Sequence, residues 1–346
     1  MDGNALRRLV PIFLMKRIGR HIAGLVAAAT MAAGAAEPSP HAIDIPKWFS
    51  ESFLDFREEA REAAAAGKRV MVYFGQDGCP YCKALMEVNF GQEDIAEATR
   101  KRFVAIALNL WGDRETVWTD GVARTEKALG THLRVQFTPT LVFLDEQGRE
   151  ALRLNGYLPP ARFRAALAYA ATAKAGGPPF SEHERREGVA RARPAVPVPG
   201  AFRSPPASLA GTGGRPAMLV FESRECDACA ELHEAFHQGA ARELLGRFDA
   251  VRLDAFGKAE VVAPDGTRVP EAGYARSLAV KLTPTLVFLE GGREVFRAEG
   301  YLRPFHLASV LDYVASGAHR TEPNFQRFVQ ARAERERAAG RSVDLW

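Results

Sequence analysis

Apolar runs and helical periodicities follow one another along this chain in an order that occurs twice. In the first pass, Phe53, Phe56, Ala60, Ala63 and Ala64 recur at helical spacing between Trp48 and Ala65. Gly67 then ends the pattern, which predicts an opening helix. Val70 to Phe74 is a short apolar run of strand length. A helix through Leu85, Met86 and Val88 follows, then another near Asp94 to Lys101, then a strand from Phe103 to Leu108. Asp120-Gly121 lies between β-prone runs in Trp111 to Thr125, which predicts a hairpin. A helix over Glu126 to Leu133 leads to a strand from Thr140 to Leu144. Gln147-Gly148 turns the chain into a strand ending at Leu154, and Pro159 and Pro160 open a last helix to about Ala173.

The second pass repeats this order. Met218 to Phe221 is its first strand, Arg247-Phe248 matches Arg102-Phe103, and Asp265-Gly266 matches Asp120-Gly121. The string TPTLVFL recurs unchanged, Gly300-Tyr301 matches Gly156-Tyr157, and Tyr313 matches Tyr169. A repeat of about 145 residues is a duplicated domain, since solenoid repeats are far shorter. The expected domains are residues 37–175 and 217–320. Residues 176–216 are rich in Pro, Gly, Ser and Arg and read as a poorly ordered linker. The second unit then lacks a full counterpart of the Trp48–Ala65 helix. Residues 321–346 form a charged tail. Its helix candidate, Asn324 to Gly340, reads as solvated, although Phe325, Phe328 and Val329 could dock one face.

Length and composition agree with two domains. The chain has 346 residues, of which 47% are hydrophobic. The net charge is +4, with no basic stripe interleaved with aromatics, which argues against a nucleic-acid partner. At the N-terminus, Lys16, Arg17, Arg20 and His21 precede a weakly apolar run from Ile22 to Ala36 that ends in small residues. Residues 1–36 therefore read as an export signal, with Met15 a tidier start than Met1. A membrane anchor is the alternative, and the run is short for one.

All four cysteines fall in two Cys-x-x-Cys pairs, Cys79/Cys82 and Cys226/Cys229. Each pair follows a strand and opens a helix, so the first cysteine lands where unpaired backbone N–H groups and the helix dipole favour a thiolate. Cys79 and Cys226 are then attacking thiols at accessible helix starts, and Cys82 and Cys229 resolve the mixed disulfide. Each pair is followed by a Thr-Pro-Thr triplet, Thr138-Pro139-Thr140 or Thr283-Pro284-Thr285. A cis X–Pro bond costs little, and a loop built on one can offer backbone groups to an extended substrate. Two copies, each with its thiol pair, favour cis Pro139 and Pro284 over trans prolines that merely start a strand. The neighbours of the thiols differ. Pro80 and Tyr81 separate the first pair and Lys83 follows it, whereas Asp227 and Ala228 separate the second and Glu225 precedes it. Positive charge favours a thiolate and negative charge disfavours it, so Cys226 is expected to be the poorer nucleophile.

Trp48–Ala173 and Ala217–Ala315, with these motifs, resemble two thioredoxin-fold domains in tandem. The chain is similar to periplasmic thioredoxin-like proteins of the SoxW kind and to the C-terminal domain of the DsbD reductase. The resemblance implies an α/β fold in each domain, a central mixed sheet flanked by helices, with Pro139 and Pro284 as cis-prolines beside the thiols. It implies an exported thiol–disulfide oxidoreductase, most simply a reductase of envelope-protein disulfides. No cofactor beyond the cysteine pairs is implied, and the electron donor would be a membrane protein of the DsbD/CcdA kind. Two departures stand out: thioredoxin's buried acid, six residues before the first cysteine, is replaced by Tyr73 and Val220. Gly78 and Glu225 precede the nucleophiles where thioredoxin has tryptophan.

Other readings are an oxidase or isomerase, or a scaffold whose second pair is a stable disulfide. A four-thiolate zinc site is disfavoured by the long separation of the pairs. Trp111 and Trp118 suit core or hairpin packing better than a substrate groove.

Overall fold

The computed structural model describes residues 42–189, 199–209 and 214–345. The expected export segment and the middle of the expected linker lie outside them. No helix among the described residues is long and apolar enough to cross a membrane.

The first domain runs α1 (Phe56–Ala65), β1 (Arg69–Gly75), α2 (Pro80–Ala84), α3 (Glu93–Arg102) and β2 (Phe103–Asn109). It continues with β3 (Glu115–Val117), β4 (Ala123–Thr125), α4 (Glu126–His132), β5 (Thr140–Leu144), β6 (Glu150–Asn155) and α5 (Pro160–Ala170). Its sheet has the order β2-β1-β5-β6, with β1 parallel to β2 and antiparallel to β5. β1 and β5 are buried along their whole length, as continuous apolar runs require when both faces of a sheet are covered. The predicted hairpin is β3–β4, and Trp118 packs on Phe56 with ring centroids 4.9 Å apart.

α1 starts eight residues later than its periodicity predicts. Asp55 caps it by accepting from the backbone N–H groups of Arg57 and Glu58. The preceding residues are not helical: Ser50 N–H donates to the Ala105 carbonyl and the Leu54 carbonyl accepts from Val117 N–H, both at 2.8 Å. Phe53, expected on the helix's apolar face, is fully exposed. The helix after the first cysteine pair relaxes into a π-helical turn over Leu85–Asn89.

Residues 180–189 and 199–209 are more ordered than a linker. α6 (Phe180–Arg186) leaves the first domain, and β7 (Phe202–Arg203) and β8 (Ala207–Ser208) already belong to the second. β7 extends the second sheet beside β10, as Ser50 sits beside β2. Then come β9 (Ala217–Glu222), α7 (Asp227–Phe236), α8 (Gly239–Leu245), β10 (Asp249–Asp254), the β11 (Glu260–Val262) and β12 (Arg268–Pro270) hairpin, and α9 (Glu271–Ser277). β13 (Thr285–Glu290), β14 (Arg293–Glu299), α10 (Pro304–Ala315) and α11 (Phe325–Ala338) complete the chain. The second sheet has the order β14-β13-β9-β10-β7. Among the described residues, nothing between Leu209 and Ala217 repeats α1.

α11 is docked rather than solvated, with Phe325, Phe328, Val329 and Ala333 buried. α6 and α11 are equivalent elements that follow α5 and α10. Phe180 is buried in the core of the first domain and Phe325 in that of the second. The next residues then reach across. Ser181 N–H donates to the Lys281 carbonyl at 3.0 Å, and the Gln326 side chain donates to the Gln136 carbonyl at 2.8 Å. Lys281 and Gln136 each lie two residues before a Thr-Pro-Thr. The residues next to them are exchanged as well: Phe137 is buried in the core of the second domain and Leu282 in that of the first.

Candidate functional site

Both cysteine pairs sit where their helices begin. Cys79 caps α2 and Cys226 caps α7, and each sulfur accepts the backbone N–H of its partner cysteine at 3.1 Å. Each pair is joined as a disulfide with its Cα atoms 5.2 Å apart. Gly78, at φ +72°, makes the turn into the first pair in a left-handed conformation that other residues rarely adopt.

The Thr138–Pro139 and Thr283–Pro284 bonds are both cis. The second threonine of each triplet ties its loop together, with Thr140 Oγ1 donating to the Phe137 carbonyl and Thr285 Oγ1 to the Leu282 carbonyl, both at 2.8 Å. Cys79 Sγ lies 3.3 Å from the Thr138 carbonyl oxygen. Thiol and proline loop thus meet in the first domain, 59 residues apart in sequence. In the second, Cys226 and Thr283 line one cavity of about 450 Å³.

Cys79 is 5% exposed and Cys226 9%, so neither attacking position is openly accessible. Cys82 and Cys229 are buried at 0% and 4%. The cover comes from the other domain and from the chain's end. Cys79 opens onto cavities of about 420 and 520 Å³ that Arg337 and Leu345 help to wall. His306, on α10, meets Tyr81 edge-to-face with ring centroids 5.0 Å apart and Nδ1 3.4 Å from the Tyr81 hydroxyl. Burial pushes His306 down to about 4, against the opposing pull of Asp344, so the ring is neutral at pH 7. Burial also holds the Tyr81 hydroxyl in its protonated form. Arg162, at the equivalent place on α5, enters the second site and donates Nη2 to the Thr283 carbonyl at 2.8 Å. Tyr81 and the Asp227-Ala228 dipeptide meet at a shared cavity of about 650 Å³.

Of the charged neighbours, Lys83 is exposed and turned to Glu87 at 3.7 Å, so its charge is partly compensated. Asp227 Oδ1 accepts the backbone N–H of Ala228 at 2.8 Å and so serves the start of α7.

The space beneath each pair is filled differently. In the first domain Tyr73 brings a buried hydroxyl without a partner, and burial raises it. In the second, Val220 stands in the place of Tyr73, packed in the core, and Glu222 two residues on is a buried carboxylate. Glu222 is paired with His233 and with Arg252. Glu222 went unnoticed in the sequence because it stands four residues before the cysteine, not six. Arg162 and His306 carry no sequence signal beyond their equivalent places after Gly-Tyr.

The thioredoxin-like domain family matches at residues 56–171 and 207–315, more than half of the chain. Among solved structures the chain is similar to a thioredoxin-fold protein from Helicobacter pylori, at 24% identity over 36% of this chain and 81% of that one, with a TM-score of 0.29. It is similar to a thioredoxin from Thermus thermophilus, at 28% identity over 34% and 85%, TM-score 0.28. It is also similar to the C-terminal domain of Neisseria meningitidis DsbD in the oxidised form, at 17% identity over 34% and 90%, TM-score 0.25. No curated protein matches the chain. With both matches spanning a cysteine pair and its cis-proline loop, the chain belongs to the thioredoxin-like domain family, in two copies.

Proposed function

We propose that this protein is an exported thiol–disulfide oxidoreductase that reduces disulfides of envelope proteins, its first domain carrying most of the exchange. The observation behind this is the approach of Cys79 Sγ to the Thr138 carbonyl at 3.3 Å, with Cys82 buried one turn behind. In the reduced state the Cys79 thiolate, favoured by the helix start, attacks one sulfur of a substrate disulfide. The other substrate sulfur leaves as a thiolate and takes a proton. Cys82 then attacks Cys79 Sγ, releases the second substrate thiol and closes the Cys79–Cys82 disulfide. Two electrons pass to the substrate. The Thr138-Pro139 loop offers backbone groups to the extended chain around the substrate cysteine. Cys226 and Cys229 have the same roles in the second domain. A membrane donor of the DsbD/CcdA kind would return the electrons, and kinship with SoxW-type proteins belongs to the same reading.

The test is trapping. A Cys82→Ser variant holds substrate on Cys79 as a mixed disulfide that reductant releases, and Cys79→Ser traps nothing at that site. Trapping by Cys79→Ser instead would reverse the roles. The equilibrium of the Cys79–Cys82 pair against glutathione gives the direction, a reductase requiring a potential below that of the glutathione couple.

A further inference from the structure

The two cis-proline loops are alike in sequence and backbone, yet among the described residues an arginine takes the carbonyl of one and not of the other. Arg162 Nη2 lies 2.8 Å from the Thr283 carbonyl, and the same nitrogen pairs with Glu184 Oε2 at 2.9 Å. The arginine side chain is 14% exposed and that of Glu184 3%. Glu184 lies on α6, whose first turn is tied to the Lys281 carbonyl. The guanidinium is therefore fixed between Glu184 and the Thr283 carbonyl in the lining of the Cys226 cavity. At the equivalent place beside the first site stands His306 of the second domain, which engages Tyr81. An extended polypeptide adds to a loop edge through main-chain hydrogen bonds and needs the loop carbonyl for register. A small disulfide needs only access to sulfur.

We infer that Arg162 is a specificity-determining residue that closes the second dithiol to extended polypeptide disulfides and leaves it to small-molecule disulfides. This rests on the proposed dithiol exchange. Cys226 thiolate attacks the small disulfide and one thiolate leaves. Cys229 displaces the second thiolate and closes the Cys226–Cys229 disulfide. Two electrons move from the dithiol to the small disulfide, and dithiothreitol restores the dithiol.

The experiment uses the full chain carrying Cys79→Ser and Cys82→Ser, reduced with dithiothreitol and then freed of it. Single-turnover oxidation is followed with two probes, glutathione disulfide and a pair of extended peptides joined by a disulfide. The parent reacts with glutathione disulfide and is slow with the peptides. Arg162→Ala raises the peptide rate by about tenfold or more, the scale of one charge-assisted hydrogen bond, and leaves the glutathione disulfide rate within about twofold. Arg162→Lys keeps a donor and keeps the peptide rate low. Glu184→Gln loosens the guanidinium and raises the peptide rate less. It carries the test if circular dichroism shows that Arg162→Ala does not fold. An equal rise for both probes, or no rise for the peptides in either folded variant, overturns the inference. A second dithiol inert to both probes also overturns it, while an active Cys79–Cys82 pair would leave the proposed function standing. Inertness of both dithiols would remove the proposed function itself.

Discussion

The two domains share a helix start, a disulfide and a cis-proline loop, and they differ in what surrounds them. Beneath the first pair, Tyr73 fills the space with a hydroxyl, and Gly75 must be glycine because a Cβ there would lie 1.9 Å from that hydroxyl oxygen. In the second, Val220 stands in the place of Tyr73, and Glu222, at the position of Gly75, is a buried carboxylate paired with His233 and Arg252. Beside the first pair stands a neutral histidine from the second domain; beside the second stands an arginine from the first. Duplicated local motifs therefore diverge through the residues that support them, and each domain finishes the other's site.

The largest expected effect separates the two thiol pairs. Cys79→Ser should lower reduction of protein disulfides by more than about 100-fold, because it removes the nucleophile, and Cys226→Ser by less than about twofold. Insulin reduction by the two variants measures this, and equal losses would end the distinction. Next in size is the exchange of core residues. Phe137→Ala should cost about 3–5 kcal/mol and Leu282→Ala about 2–5 kcal/mol. In hydrogen exchange, protection should fall in the opposite domain in each case, and loss confined to the residue's own domain would contradict reciprocal packing. Gly75→Ala should cost about 1–3 kcal/mol by overpacking against Tyr73. Adding Tyr73→Val should recover part of that cost in a double-mutant cycle of denaturant midpoints, and strict additivity would mean that the two do not meet.

The next effect depends on pH. His306 is pushed down to about 4 in the folded protein, so below its ordinary value of 6.5 the unfolded chain binds the proton and the folded protein resists it. Its share of stability is full above pH 6.5 and is lost as pH falls toward 4. Because the ring lines a cavity and is only partly shielded, the loss is about 1–2 kcal/mol. Urea midpoints at pH 7 and 4.5 should show this slope in the wild type and a flatter one in His306→Gln. An unchanged slope would exclude His306 as its source. The smallest effects concern the flanking charges. Lys83→Ala should change the alkylation rate of Cys79 by less than about twofold, since the lysine is exposed and paired with Glu87. Asp227→Asn should speed Cys226 by about threefold, as it removes a negative charge and keeps an acceptor for Ala228 N–H. A larger response at Lys83 than at Asp227 would invert the electrostatic contrast.

The core of each domain was legible in the sequence because its rules are local. Continuous apolar runs became β1, β5, β9 and β13, the cysteines became helix caps, and the two TPTLVFL strings became equivalent loops and strands. Local rules misplaced the ends. The helical spacing around Phe53 was outweighed by hydrogen bonds of Ser50 to Ala105 and of Leu54, at φ +64°, to Val117, and the capping by Asp55 came later. The start of the Pro-rich stretch read as linker and the charged tail as a solvated helix because their docking rests on single apolar anchors such as Phe180 and Phe325, too few for composition to register.

By itself the sequence determined two copies of one unit, the order of elements along each, the thiol pairs at helix starts and the proline loops, since each follows from spacing within one unit. Only the tertiary structure decided how the units complete each other. Arg162 meets Thr283 across 121 residues, Tyr81 meets His306 across 225, and Gln76 meets Gln326 across 250. Periodicity and spacing carry no information at such separations. Those contacts exist because burying Phe137 and Leu282 in opposite cores brings the two loops face to face.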